Sequence, residues 1–367
     1  MRSTTGQYYP GLDHLRALAA FLVFSWHFTH GLPVPIHGDP VPFGGGIRND
    51  FLFLAPFDEG HCGVALFMTL SGYLFAKLLD GKRIHYGNFI WSRFIRLVPL
   101  LALVVVANGT LIIAKGEWLG GYVRALIAGL IKPVWPNGGW SITVEMHFYL
   151  LLPIILWLKE RWWPSILLML FGAAILRTVL YATYGEVQYF SYLTIIGRID
   201  QFLIGIIAFD ARNLIKNKRS YFVYMTVAFL ILYQSFAEGG GFYKTISYPS
   251  PSAIWIVMPT IEGAYFGFLI SYYDNSFKFS KGVISDFLRK IGEYSYSIYL
   301  LHFFIVFDLA KIATAWVPGI HILVVAELAA FGCFIMVVPV AWVSYRLIEC
   351  PFFRFRRKYS SDKTIVD

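Results

Sequence analysis

The sequence predicts an all-α integral membrane protein of about ten transmembrane helices with both termini in the cytoplasm. Three observations predict it. Of the 367 residues, 57% are hydrophobic and only 14% charged, well under the roughly 25% charged residues of soluble domains. Apolar runs near the length of about 20 residues needed to cross a bilayer recur along the chain. The basic residues fall between alternate runs, as retention on the cytoplasmic side requires.

The expected spans lie near 13–31, 61–79, 94–114, 140–157, 162–182, 194–212, 221–237, 253–273, 291–313 and 321–347. The stretch 121–132 is apolar but short, and Pro133 and Pro136 follow it, so a re-entrant or interfacial segment is expected there. Basic clusters fix the orientation. Lys77, Lys82, Arg83, Arg93 and Arg96 form one, Lys159 and Arg161 the next, then Lys216, Lys218 and Arg219. Lys278, Lys281, Arg289 and Lys290 follow, and the tail carries Arg354, Arg356, Arg357 and Lys358. The alternate loops 31–60, 183–193, 238–252 and 314–320 are nearly free of Lys and Arg. Ten spans with both ends inside put every cluster on the cytoplasmic face.

No repeat, low-complexity tract or soluble domain interrupts the chain. It reads as one domain, 1–367, with a core of about 11–351 and a short basic tail over 352–367. The net charge of +9 is spread over short loops and does not point to nucleic acid. The bilayer is the expected surroundings, and the 18% aromatic share suits interfacial belts of Trp and Tyr. Cys62, Cys333 and Cys350 have no metal-binding spacing and read as inert apolar thiols. The first apolar run holds Arg16 and His27 and lacks a cleavage site, so it is expected to be a retained helix. Loop 31–60, rich in Gly, Pro and aromatic residues, is long for a plain connector; it is expected to cover or receive a substrate, or to serve merely as a linker.

Ionisable groups inside a span are costly and mark sites by default. Arg16 and His27 are eleven residues apart, about three helical turns, so they share a face and stand roughly 16 Å apart along the axis. Further polar stretches follow: Phe67-Met68-Thr69-Leu70-Ser71-Gly72-Tyr73, Trp91-Ser92-Arg93-Phe94-Ile95-Arg96-Leu97-Val98-Pro99, and Trp140-Ser141-Ile142-Thr143-Val144-Glu145-Met146-His147-Phe148-Tyr149. The last pair is Tyr294-Ser295-Tyr296-Ser297-Ile298-Tyr299-Leu300-Leu301-His302 and Tyr345-Arg346 through Glu349-Cys350-Pro351.

In this order the stretches resemble the membrane-bound acyltransferase 3 family, which acylates carbohydrates and other hydroxyl acceptors. The resemblance covers Gly11 to about Pro351. It implies about ten helices, a cytoplasmic acyl-CoA donor (acetyl-CoA foremost), and a glycan or glycolipid acceptor of the cell surface. It also implies residence in a bacterial cytoplasmic membrane, beside polysaccharide export or synthesis machinery. Many relatives continue into an extracytoplasmic hydrolase-like domain; this sequence stops, so any further relay is expected in another protein.

The residues fit that chemistry on their own terms. Arg16, Arg93 and Arg96 are expected at the donor's phosphates, which guanidinium forks bind bidentately; for Arg93 and Arg96 plain positive-inside anchoring is the simpler alternative. An extended phosphopantetheine arm is about as long as five extended residues, so it would bring a thioester near His27. His27 is expected to be the general base, against the plainer reading of a histidine hydrogen-bonded in a bundle. Glu145 shares a helix face with Ser141 and is expected to orient His27 or a substrate hydroxyl, with a structural ion pair as the alternative. Ser71, Trp140 and Ser141 are candidate substrate contacts, though no base adjoins Ser71 in sequence. Ser295, Tyr299 and His302 share one helix face; Tyr299 and His302 are assigned to the substrate, with helix–helix bonding as the rival. Arg198 and Asp200 head the sixth span and are expected to meet a sugar or to anchor the interface. No metal is expected.

The rival reading from another class is a proton-coupled transporter or a lipid or glycan flippase, which also buries Arg, His and Glu. Carriers often show paired halves with broken helices in matching positions; no such symmetry is visible here.

Overall fold

A computed structural model describes residues 9–33, 35–36, 39–40, 51–242, 249–277 and 282–362. Its principal helices are α1 (Pro10–His30), α2 (Cys62–Leu79), α3 (Tyr86–Ala114), α4 (Leu119–Ala128), α5 (Trp140–Arg161), α6 (Ser165–Tyr184) and α7 (Ile195–Asp210). They continue as α8 (Arg219–Glu238), α9 (Met258–Ser276), α10 (Val283–Glu293), α11 (Ser295–Leu301), α12 (Val306–Trp316) and α13 (Leu323–Ser344). Local signals set several ends. Pro10 opens α1, where its missing N–H and fixed φ cost nothing. Gly185, at φ +76°, closes α6 in the left-handed conformation glycine adopts freely.

A helix occupies each of the ten expected segments. Among the described residues, six are long and apolar enough to cross a membrane: α2, α3, α5, α6, α8 and α13 with its continuation to Phe355. The pair α11–α12, bent by 67° at the turn His302–Phe304, makes a seventh if counted as one span. The helices that fall short do so for physical reasons. α7 has only 16 residues and, like α1 and α9, it carries charged groups within its first two turns. Asp13, His14, Arg198, Asp200, Gln201 and Glu262 are all buried. Their polarity lowers the hydropathy of helices that lie inside the bundle, away from lipid. The apolar segment after residue 118 forms the ten-residue α4, with no buried residue. Much of the loop 31–60 lies outside the described residues, including 41–50, as do Lys278 and Lys281.

Burial ranks the helices. The apolar window of α2 is 78% buried, against 22% in α3, 17% in α6 and 22% in α8. α2 is therefore central, packed on α1, α7 and α9, while the other three turn most of their surface outward. The crossing of α2 and α7 brings backbone onto backbone. A Cβ on Gly72 would stand 2.0 Å from the Phe202 carbonyl oxygen, and one on Gly205 would stand 2.1 Å from that of Thr69. Small residues permit such close helix contacts in membranes. Gly72→Ala is accordingly expected to force the helices apart and destabilise the protein by about 1–3 kcal/mol. Thermal unfolding of the purified variant in detergent checks this; an unchanged midpoint would show that the crossing yields freely.

The basic tail is held in the structure. Ser360–Asp362 pairs antiparallel with Lys82–Ile84, and Tyr359 is buried against Phe89 and Arg93.

Candidate active site

Two cavities open along α1, and the sequence-predicted residues divide between them. Arg16 sits in the second turn of the helix and His27 near its other end, so the roughly 16 Å of axial spacing is realised in one unbroken element.

The first cavity, narrow at about 80 Å³, is lined by Arg16, Arg93, Arg96, Ser71, Ser141, Glu145 and Tyr299, among others. Three guanidinium groups thus face one carboxylate. Arg16 is held by Asp13 at 2.6 Å. Arg93 reaches the Tyr359 hydroxyl at 3.4 Å and its Nε has no partner among the described residues. From the tail, Arg356 lies close enough that its pKa is lowered, first by burial and then by Arg96 and Arg93. Such crowding of cations with few counter-charges suits an anion with several oxygens. Glu145 accepts from the Tyr149 hydroxyl and, at 3.5 Å, from Ser71 Oγ. Among the described residues it bonds these two hydroxyls and not His27, because Glu145 points into the arginine cavity.

The second cavity, about 300 Å³, is lined by His27, Trp26, Trp140, Tyr192, Phe242, Phe303, His61 and Tyr299. Tyr299 and Val64 belong to both walls, so the cavities adjoin there. The Tyr299 hydroxyl donates to the Gly138 carbonyl at 3.0 Å, which the left-handed turn at Gly138 (φ +70°) presents. Ser141 Oγ uses the same carbonyl at 3.2 Å. Trp140 and Ser141, adjacent in sequence at the start of α5, consequently face different cavities.

The protonation of His27 follows from its neighbours. Its Nδ1 lies 2.8 Å from the Val23 carbonyl and 3.4 Å from His302 Nε2. His302 Nδ1 lies 3.1 Å from the Ile298 carbonyl. A carbonyl only accepts, so each Nδ1 carries the hydrogen. His302 Nε2 is then an acceptor facing the His27 Nδ1–H, and the lone pair of His27 is on Nε2. The break between α11 and α12 puts His302 at this position, behind His27 and off both cavity walls.

Arg198 and Asp200 lie in buried ion pairs and line neither cavity. Arg177 Nη2 meets Asp200 at 2.7 Å, and Arg198 Nη1 meets Glu262 at 3.3 Å, all four groups essentially without solvent contact. Gln201 and Tyr233 also bond Glu262. Arg198 instead passes 4.2 Å from the centre of the Tyr192 ring, stiffening one aromatic wall of the larger cavity. Sequence reasoning missed Arg177, Glu262, His61 and Tyr149. Arg177 and Glu262 gave a usable signal, a charge inside an apolar run.

An acyltransferase-domain family model matches residues 9–346. The chain belongs to the acyltransferase 3 family. Relatives within reach of sequence comparison are the peptidoglycan O-acetyltransferase OatA of Listeria monocytogenes, 22% identical over 94% of this chain, and the O-acetyltransferase OatA of Staphylococcus aureus, 26% identical over 94%. A putative O-acetyltransferase of Staphylococcus aureus is 24% identical. The chain spans little more than half the length of these relatives, 56% and 57% of the two OatA proteins. No solved structure matches the chain. Both cavities fall within the matched region, so they belong to the part of the molecule that defines the family.

Proposed function

We propose that this protein is an integral-membrane O-acyltransferase that moves an acyl group, most readily acetyl, from acyl-CoA to a hydroxyl of a cell-envelope glycan or glycolipid. One observation carries the reading: an arginine-lined cavity and an aromatic cavity adjoin at Tyr299, with the free Nε2 of a histidine on the aromatic side. Phosphates of the donor bind Arg16, Arg93 and Arg96 on the cytoplasmic side, and the pantetheine arm runs toward Tyr299 and the thioester. The acceptor enters the aromatic cavity from the other face. His27 Nε2 takes the proton of the acceptor hydroxyl as its oxygen attacks the thioester carbonyl. The C–S bond breaks, the new C–O bond remains, and the imidazolium returns its proton to the departing thiolate. His302 and the Val23 carbonyl hold the Nδ1–H in place through the cycle, and Glu145 with Tyr149 and Ser71 shapes the wall along which the arm lies.

The test is transfer and hydrolysis of radiolabelled acetyl-CoA by purified protein in proteoliposomes. Arg96→Gln is expected to raise the donor KM about tenfold or more, a charge-assisted phosphate contact contributing about 1.5–3 kcal/mol. Absence of acetyl-CoA binding by the unaltered protein would overturn the enzyme reading in favour of a carrier.

A further inference from the structure

His61 precedes α2 and lines the same aromatic cavity as His27. Its side chain has no solvent exposure. Neither ring nitrogen has a hydrogen-bond partner among the described residues. Two carboxylates stand close without bonding it: Glu59 Oε2 is 3.4 Å from Nε2, and Glu262 Oε1 is 3.8 Å from Nδ1. Neither pair meets hydrogen-bond geometry, which leaves a cavity-lining imidazole set between two carboxylates. The surroundings are otherwise apolar: the rings of Trp26, Tyr192 and Phe242 lie 5.8, 5.5 and 4.9 Å from that of His61, centre to centre.

Buried polar atoms are nearly always hydrogen-bonded, and an exception asks for a reason. A cavity of aromatic walls with a few convergent polar groups is the usual form of a specific small-ligand site. Aromatic faces pack on the C–H faces of a sugar ring, and the ring's hydroxyls then need polar partners.

We propose that His61 is an acceptor-recognising residue: it hydrogen-bonds a second hydroxyl of the carbohydrate in the aromatic cavity, one other than the hydroxyl that His27 activates. Glu59 and Glu262 flank the imidazole. The inference rests on the acyl-transfer reading, and it adds a contact that fixes which hydroxyl is presented to His27. A site built to bond a hydroxyl rejects an analogue that lacks it, because its own polar groups are left unpaired.

The experiment uses the full chain in proteoliposomes with acetyl-CoA as donor. The acceptor probes are glucose, N-acetylglucosamine, a chito-oligosaccharide pentamer and glycerol. His61→Phe is expected to raise the acceptor KM at least tenfold, with donor KM and acceptor-independent thioester hydrolysis unchanged. His61→Gln, which keeps a side-chain N–H, is expected to fall between. Unchanged donor hydrolysis also shows that both variants fold. An unchanged acceptor KM in both overturns the proposal for His61 alone. Donor hydrolysis by the unaltered protein that no carbohydrate probe diverts overturns it too, by removing the sugar. Failure of the unaltered protein to bind acetyl-CoA is the separate result that removes the acyl-transfer reading itself.

Discussion

His27→Ala is expected to lower acyl transfer by about 10²–10⁴-fold, the usual contribution of a positioned general base, with acetyl-CoA binding unchanged. The geometry separates the two effects. His27 lines only the aromatic cavity, whereas the three arginines line only the other. Its Nδ1–H is committed to Val23 and faces His302, so in the proposed mechanism the residue acts through Nε2. Removing the ring eliminates proton transfer and leaves the arginine-lined wall intact. Single-turnover transfer, set beside equilibrium binding of acetyl-CoA, measures both quantities. Transfer at the unaltered rate in His27→Ala would remove the base from the proposed mechanism.

Asp200→Ala is expected to destabilise the fold by about 3–5 kcal/mol, because it strands a guanidinium in the interior. Arg177 and Asp200 have no solvent exposure. Asp200 also accepts from Thr260, so α6, α7 and α9 meet at one carboxylate. Arg177 keeps its bonds to the Ile256 carbonyl at 2.7 Å and the Thr260 hydroxyl at 3.1 Å, which satisfy hydrogens but leave the charge uncompensated. The double replacement Arg177→Met with Asp200→Leu removes both charges and is expected to recover most of the loss. Thermal unfolding in detergent distinguishes the two cases. A single variant as stable as the parent would show that water reaches the pair.

Period and composition made the helices legible, and burial explains where hydropathy misled. α1, α7 and α9 are helices in the expected places, yet they are less apolar than a lipid-exposed span because other helices surround them. Arg16 was legible as a candidate because it is an ionisable group in an apolar helix, and the structure places it on a cavity wall, paired with Asp13. The same logic applied to Arg177 and Glu262 would have flagged the ion-pair network. It would still not have told a structural pair from a catalytic one, since that depends on which side chains converge. The pairing of His27 with His302 spans 275 positions in sequence, and no local pattern encodes it. Glu145 illustrates the same limit: helical spacing puts Ser141 and Tyr149 one turn to either side of it, but only the folded chain shows that Ser71 of α2 is its other partner.

In the proposed reaction, donor and acceptor would bind on either side of the shared wall at Tyr299 and Val64, where the two binding events can be thermodynamically linked. Whatever a bound donor does to that wall alters the affinity for acceptor by some factor, and the acceptor must alter the affinity for donor by the same factor. The free energy that couples them belongs to neither cavity. Under the proposed reaction the tyrosine between the two cavities is the surface through which such a coupling would pass.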